Sequence, residues 1–160
     1  PFSFTTEETG GIIGNGDITM DWIVHVLKRT VDTQYRTKAD RRHTFLAGSS
    51  MGGLMTLYGL LVYPEVFSRG AALSPSLWID AEKVKAMIRH ARVKRNTVLY
   101  MDYGALEFAD HPHSRSLFAE VSALLIEKRV LLNSRIVPRG THCEASWEKQ
   151  IPFFMKTLFE

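Results

Sequence analysis

Downstream of residue 42 the apolar positions alternate between two textures. Short, unbroken apolar runs such as Thr97-Val98-Leu99-Tyr100-Met101 are separated by longer stretches in which apolar residues recur every three or four positions. The first texture predicts strands at 43–48, 69–73, 97–103 and 132–137, and the second predicts helices at 50–63, 80–91, 113–129 and 144–159. The strand runs are continuous rather than alternating, as a sheet buried on both faces requires. A strand–helix alternation of this kind implies an α/β fold: an open, parallel, right-handed sheet with helices on both faces. Upstream, Asp17 or Thr19 is placed to cap a helix over 17–35, with Ile18, Trp22, Ile23, Val26, Leu27 and Val31 as its apolar face. Residues 1–16 read as an irregular linker. Phe2 and Phe4 are compatible with a fragment of strand, and Gly10-Gly11 and Gly14-Asn15-Gly16 with a flexible loop. Those glycines fit neither a dinucleotide fingerprint nor a phosphate loop, because no apolar strand precedes them and no Gly-Lys-Ser/Thr follows. The pattern shows no repeat and no second domain, so residues 1–160 are expected to form one.

Composition narrows the picture only slightly. A chain of 160 residues that is 45% hydrophobic and 23% charged has enough apolar material for one core. No apolar run approaches the roughly 18 residues of a membrane-spanning helix, so no membrane partner is expected. The single cysteine, Cys143, excludes an internal disulfide framework and fits a reducing, cytoplasmic setting. A net charge of +3 is mild, and the basic clusters Arg41-Arg42-His43 and Arg92-Val93-Lys94-Arg95 fall at expected surface turns. They read as solvated faces rather than as a nucleic-acid surface.

Chemistry enters at Gly48-Ser49-Ser50-Met51-Gly52-Gly53. A G-x-S-x-G between a strand and a helix is a nucleophile elbow, a turn too tight for side chains at its flanks, which exposes the serine hydroxyl above the strand end. The helix that follows directs its free N–H groups and positive dipole end toward charge formed there, and the Met51 N–H is the expected oxyanion-hole donor. In an open parallel sheet functional groups collect at the carboxyl ends of the strands. Those ends here carry Ser50, then Ser74-Pro75-Ser76-Leu77-Trp78, then Asp102 through Glu107, then Pro138-Arg139-Gly140-Thr141-His142. A serine hydroxyl needs a base within reach, and a histidine base needs a carboxylate to fix its tautomer. Ser50, Glu107 and His142 supply these in the chain order Ser…Asp/Glu…His of the α/β-hydrolase arrangement. Glu107, after the Gly104 turn, is preferred as the acid over Asp102, placed within the strand end, and Asp110, placed to cap the next helix. Ser76 and Trp78 are candidate substrate contacts, Trp78 being equally suited to core packing. Asp110-His111-Pro112-His113 has metal-ligand spacing but reads as a polar loop before a helix. Cys143 adjoins His142, and adjacent side chains diverge, which argues against a cysteine–histidine pair. Neither a metal nor an organic cofactor is expected.

Several segments together resemble one family. Gly48 to Leu54, Tyr63-Pro64-Glu65-Val66-Phe67, Ser74 to Trp78, Gly104 with Glu107, and Gly140-Thr141-His142-Cys143-Glu144-Ala145-Ser146-Trp147 look like the putative esterase family of the α/β-hydrolase superfamily. That branch includes enterochelin esterases, esterase D-type enzymes and feruloyl esterases. The resemblance runs from about Asp17 to the C-terminus. It implies Ser50 as nucleophile, Glu107 as acid, His142 as base, and hydrolysis of a small-molecule carboxylic ester through an acyl-enzyme. Glu144 and Trp147 match residues that follow the histidine in many members. The family also carries strands before the helix at 17–35, and one of their loops provides the second oxyanion N–H. Only about sixteen residues precede that helix here, so the expected fold is a partial, N-terminally truncated α/β-hydrolase. The strand at 43–48 would then be an apolar edge, to be covered by a missing N-terminal half or by a second copy. The alternative reading is a non-catalytic remnant or interaction module with an incomplete oxyanion hole.

Overall fold

The computed structural model describes residues 14–109 and 113–160. The chain begins with a helical arm, α1 (Gly16–Trp22), a π-helical segment (Ile23–Leu27) and α2 (Lys28–Gln34). Then β1 (Phe45–Ser49), α3 (Met51–Val62), β2 (Arg69–Leu73), α4 (Ala81–His90), β3 (Val98–Gly104), α5 (Ser114–Glu127) and β4 (Leu131–Val137) alternate. Two short helices close the chain, α6 (Glu144–Glu148) and α7 (Ile151–Phe159). All three strand pairings are parallel, in the order β1-β2-β3-β4, with Ala47 opposite Ala71, Ala71 opposite Tyr100, and Tyr100 opposite Asn133. Each strand therefore lies beside its successor, and right-handed crossovers put all three connecting helices on one face.

Strand residues divide between the faces with period two. Ala72, Leu99, Met101 and Tyr103 point into the larger core beside Leu54, Leu57 and Leu60 of α3, Val84 and Ile88 of α4, and Phe118 and Val121 of α5. Ala71, Leu73 and Tyr100 point to the other face and meet Leu158 of α7, with Phe45, Trp147 and Phe154 packed around them. The two inner strands, β2 and β3, are thus covered on both sides, whereas β1 and β4 at the sheet edges keep exposed positions.

The structure departs from the sequence pattern in three places. The expected single helix at 144–159 is two, because Pro152 in the first turn of α7 has no N–H for the preceding turn and its ring crowds that carbonyl. The helical arm starts at Gly16 behind Asn15, with no side-chain cap, so neither Asp17 nor Thr19 caps it and the linker boundary at residue 16 is one residue too late. The rest of that linker, up to Ile13, lies outside the described residues. The third departure is the face the arm buries. Met20 and Val24 are the buried residues, at 1% and 8% exposure, while Ile18 and Trp22 stand 66% and 51% exposed. Met20 can seat there because the facing Gly59 of α3 has no side chain: a Cβ on it would lie 3.0 Å from the Met20 methyl carbon. Among the described residues no helix is long and apolar enough to cross a membrane.

Candidate active site

Ser50 sits between β1 and α3 at φ 54°, in a region that L-residues seldom occupy, and it remains there because its surroundings leave no alternative. Its N–H donates to the Leu73 carbonyl at 2.9 Å, and its own carbonyl accepts from Leu54 and Ser76 at 3.1 Å each. Gly48 makes the turn possible, since a Cβ there would stand 2.6 Å from the Gly52 backbone. The two motif glycines are not equivalent: a Cβ on Gly52 would meet nothing within 4 Å. The expectation that both flanks exclude side chains therefore holds only for Gly48. Met51 opens α3, so its N–H belongs to the first-turn group with no intrahelical acceptor.

The loops after β1, β3 and β4 bring Ser50, Glu107 and His142 together. His142 Nε2 lies 2.9 Å from Ser50 Oγ, and its Nδ1 lies 2.7 Å from Glu107 Oε2. Glu107 is buried, at 4% exposure, whereas the His142 side chain is 41% exposed and faces the solvent-accessible rim. The close approach of two loops sets this spacing. A Cβ on Gly104 would stand 2.5 Å from both Glu107 Oε1 and the Gly140 backbone, so the turns carrying Glu107 and His142 touch only where both lack side chains. The Leu106 N–H then donates to the Gly140 carbonyl at 3.0 Å, tying the two turns together.

Asp102 does not reach the imidazole. It lies inside the end of β3, accepting from Tyr100 Oη at 2.8 Å and from the Ser74 N–H at 3.2 Å. Burial raises its pKa above the ordinary carboxylate range, with the nearby Glu107 adding to the effect, while those donors partly offset it. Asp110 lies outside the described residues, as do His111 and Pro112. Ser76 Oγ is 3.3 Å from Ser50 Oγ, so this buried hydroxyl borders that of Ser50. Trp78 is partly buried against the larger core. The Thr141 hydroxyl lowers the pKa of the Cys143 thiol, at 3.3 Å, and this pair stands apart from the Ser50–His142–Glu107 chain.

Two further side chains complete the network. Ser74 Oγ donates to Glu107 Oε1 at 2.7 Å, where the Gly104 N–H also donates at 2.7 Å. Trp147 Nε1 donates to Ser74 Oγ at 3.0 Å, and the indole meets the His142 ring edge-to-face at 4.9 Å between centroids. The sequence puts the Ser74 loop at a strand end but marks only Ser76 and Trp78 in it, leaving Ser74 without a task. Its signal was available in its position, the first residue past β2, one step beyond the row in which Ser49, Leu73 and Asp102 stand side by side.

A family model described as putative esterase matches residues 16–155. Among curated proteins, the iron(III) salmochelin esterase of Escherichia coli O6:H1 is 35% identical over 78 residues, which is 48% of this chain and 19% of that protein. The IroE-like serine hydrolase of Shewanella oneidensis superposes with a TM-score of 0.71 at 20% identity, covering 92% of this chain and 50% of the other. The enterochelin esterase of Shigella flexneri gives 0.71 at 23% identity, covering 88% and 37%. Siderophore hydrolase EstA of Aspergillus nidulans gives 0.70 at 19%, covering 97% and 62%. At such identities the superpositions establish a shared fold, and the chain spans less than two thirds of each of these proteins.

Proposed function

This chain belongs to the putative esterase family, and we propose on that footing that it hydrolyses carboxylic esters of small molecules through an acyl intermediate on Ser50. The observation that carries the reading is the unbroken run of hydrogen bonds from Ser50 Oγ to His142 at 2.9 Å and on to Glu107 at 2.7 Å. In the first half-reaction His142 Nε2 takes the Ser50 proton as Oγ attacks the ester carbonyl. Glu107 holds the Nδ1–H and stabilises the imidazolium that forms. The Met51 N–H receives the developing oxyanion at the positive end of α3. The tetrahedral intermediate collapses, and His142 returns its proton to the departing alcohol. In the second half, His142 deprotonates water, which attacks the acyl-serine and releases the carboxylic acid and the free hydroxyl. Ser76, beside the nucleophile, and Trp78 are the candidate substrate contacts. The names of similar proteins make siderophore esters, enterochelin among them, the first class to try.

A second reading has one observation behind it. The described residues offer Met51 as oxyanion donor on the nucleophile side, and the chain spans only part of its relatives. Loss of one such donor costs about 10²–10³ in rate, so the chain by itself would be a slow esterase or a hydrolase-fold module without turnover. A fluorophosphonate probe and a short-chain nitrophenyl ester separate the two. The enzyme reading expects the parent to be labelled and Ser50→Ala not to be. It also expects Ser50→Ala and His142→Ala to lose ester turnover. A folded parent that takes no label rejects it.

A further inference from the structure

We infer that Ser74 and Trp147 form a positioning relay for the esterase reaction proposed above: Trp147 steers the Ser74 hydroxyl, and Ser74 fixes the carboxylate that orients His142. Hydrogen-bond chemistry assigns the direction at each link. An indole N–H only donates and an ionised carboxylate only accepts. Ser74 Oγ must therefore accept from Trp147 Nε1, at 3.0 Å, and send its single hydrogen to Glu107 Oε1, at 2.7 Å. With the Gly104 N–H also on Oε1, that oxygen is held by two donors and Oε2 is left for His142 Nδ1. The carboxylate cannot rotate about its axis without breaking both bonds. Held this way in a buried site, it keeps the imidazole in one tautomer with Nε2 aimed at Ser50.

The backbone at Ser74 fits a placed residue rather than a filler. Ser74 is buried, at 1% exposure, and adopts φ 42°, which a serine holds only when its neighbours over-determine it. Its N–H is shared between the carbonyl and the carboxylate of Asp102, at 3.1 and 3.2 Å, and Tyr100 Oη donates to the second carboxylate oxygen at 2.8 Å. Ser74 thus hangs between two buried acids, with its N–H on Asp102 and its O–H on Glu107. Trp147 reaches it from 73 residues away while its ring braces the edge of His142. One side chain therefore sets both the plane of the base and the hydroxyl behind the acid.

The experiment is a double-mutant cycle on the full chain with Ser74→Gly, Trp147→Phe and the pair. Glycine removes the hydroxyl while tolerating the positive φ, and phenylalanine keeps an aromatic edge on His142 while removing the N–H. Ser74→Gly is expected to lower kcat by about 10- to 100-fold, the range for a hydrogen bond to a charged group, with KM within about twofold of the parent. Trp147→Phe is expected to cost less, and the double variant no more than Ser74→Gly alone, since the indole N–H acts through the hydroxyl. The downfield proton resonance of the His142 Nδ1–H should shift or broaden in both single variants, with thermal unfolding confirming that each is folded. Losses that multiply in the double variant, or an unchanged kcat and an unmoved resonance in folded Ser74→Gly, overturn the relay. A parent that neither turns over ester nor takes the fluorophosphonate label fails the esterase reading instead, and the resonance comparison still decides the relay.

Discussion

Around Ser50 the side chains of the rim are fastened to one another, while along β1 and the helical arm apolar surface stands in solvent. At the rim, loops from all four strands converge, and Glu107 alone accepts three hydrogen bonds from three different segments. At the opposite flank, β1 is an outermost strand with Ala47 exposed, and Ile18, Trp22 and Val26 of the arm are 66%, 51% and 48% exposed. Both regions carry strong sequence signals. They differ in what the fold brings against them. The rim is assembled from partners within the described residues, whereas the arm packs on the core through Met20, Val24 and the partly buried Ile23 and leaves Ile18, Trp22 and Val26 outward. Order at a site is thus a property of converging loops and not of local apolar content.

Substitutions sharpen this contrast. The largest effect belongs to the rim: Ser50→Ala should reduce nitrophenyl-ester turnover by roughly 10⁴–10⁶-fold, measured against a parent of equal thermal stability. Next comes the core beneath it. Leu57→Ala, at a fully buried position of α3, should destabilise the fold by about 2–5 kcal/mol in denaturant titration. Trp22→Gln, on the exposed stripe, should stay within about 0.5 kcal/mol. Equal losses from these two would mean that the arm buries more than its exposure indicates. Gly104→Ala should lower turnover by about 10²-fold, the usual penalty for a misplaced catalytic group, because the new methyl collides with the Glu107 carboxylate and the Gly140 backbone. Gly52→Ala, with open space around the same position in its own turn, should fold as the parent does.

The smallest predicted effect concerns pH. Burial raises the folded-state pKa of Asp102, so the native state holds this proton more tightly than the unfolded chain. Below the ordinary carboxylate range both states are protonated, the slope is zero and the group's contribution is fully present. As pH rises through that range the unfolded chain ionises first, and stability falls until the folded-state pKa is passed. Asp102→Asn should flatten this decline, leaving a smaller loss as pH rises above about 4 in urea melts. A decline as steep as the parent's would place the responsible group elsewhere.

The alternation of apolar runs and helical spacings was enough to define four parallel strands, their order of appearance and helices on both faces, because burial on both sides of a strand leaves an unmistakable local pattern. Gly48 to Gly53 likewise announced the elbow, since a strained turn between strand and helix has few sequence solutions. Glu107 is the acid that the sequence favours, from its place after the Gly104 turn, but its contact with the imidazole is made only in the tertiary structure. Asp102 lies within the end of β3 and Glu107 five positions on, in the turn past it, where the close approach of Gly104 and Gly140 sets Glu107 against His142 while Asp102 stays under Ser74. The buried face of the arm was equally out of reach, because periodicity reports an apolar stripe but not whether anything packs on it. Nor could spacing reveal that Trp147 and Ser74, 73 residues apart, share a hydrogen bond. Local pattern records what each segment requires of its surroundings, and tertiary packing alone determines which of those requirements are met and by whom.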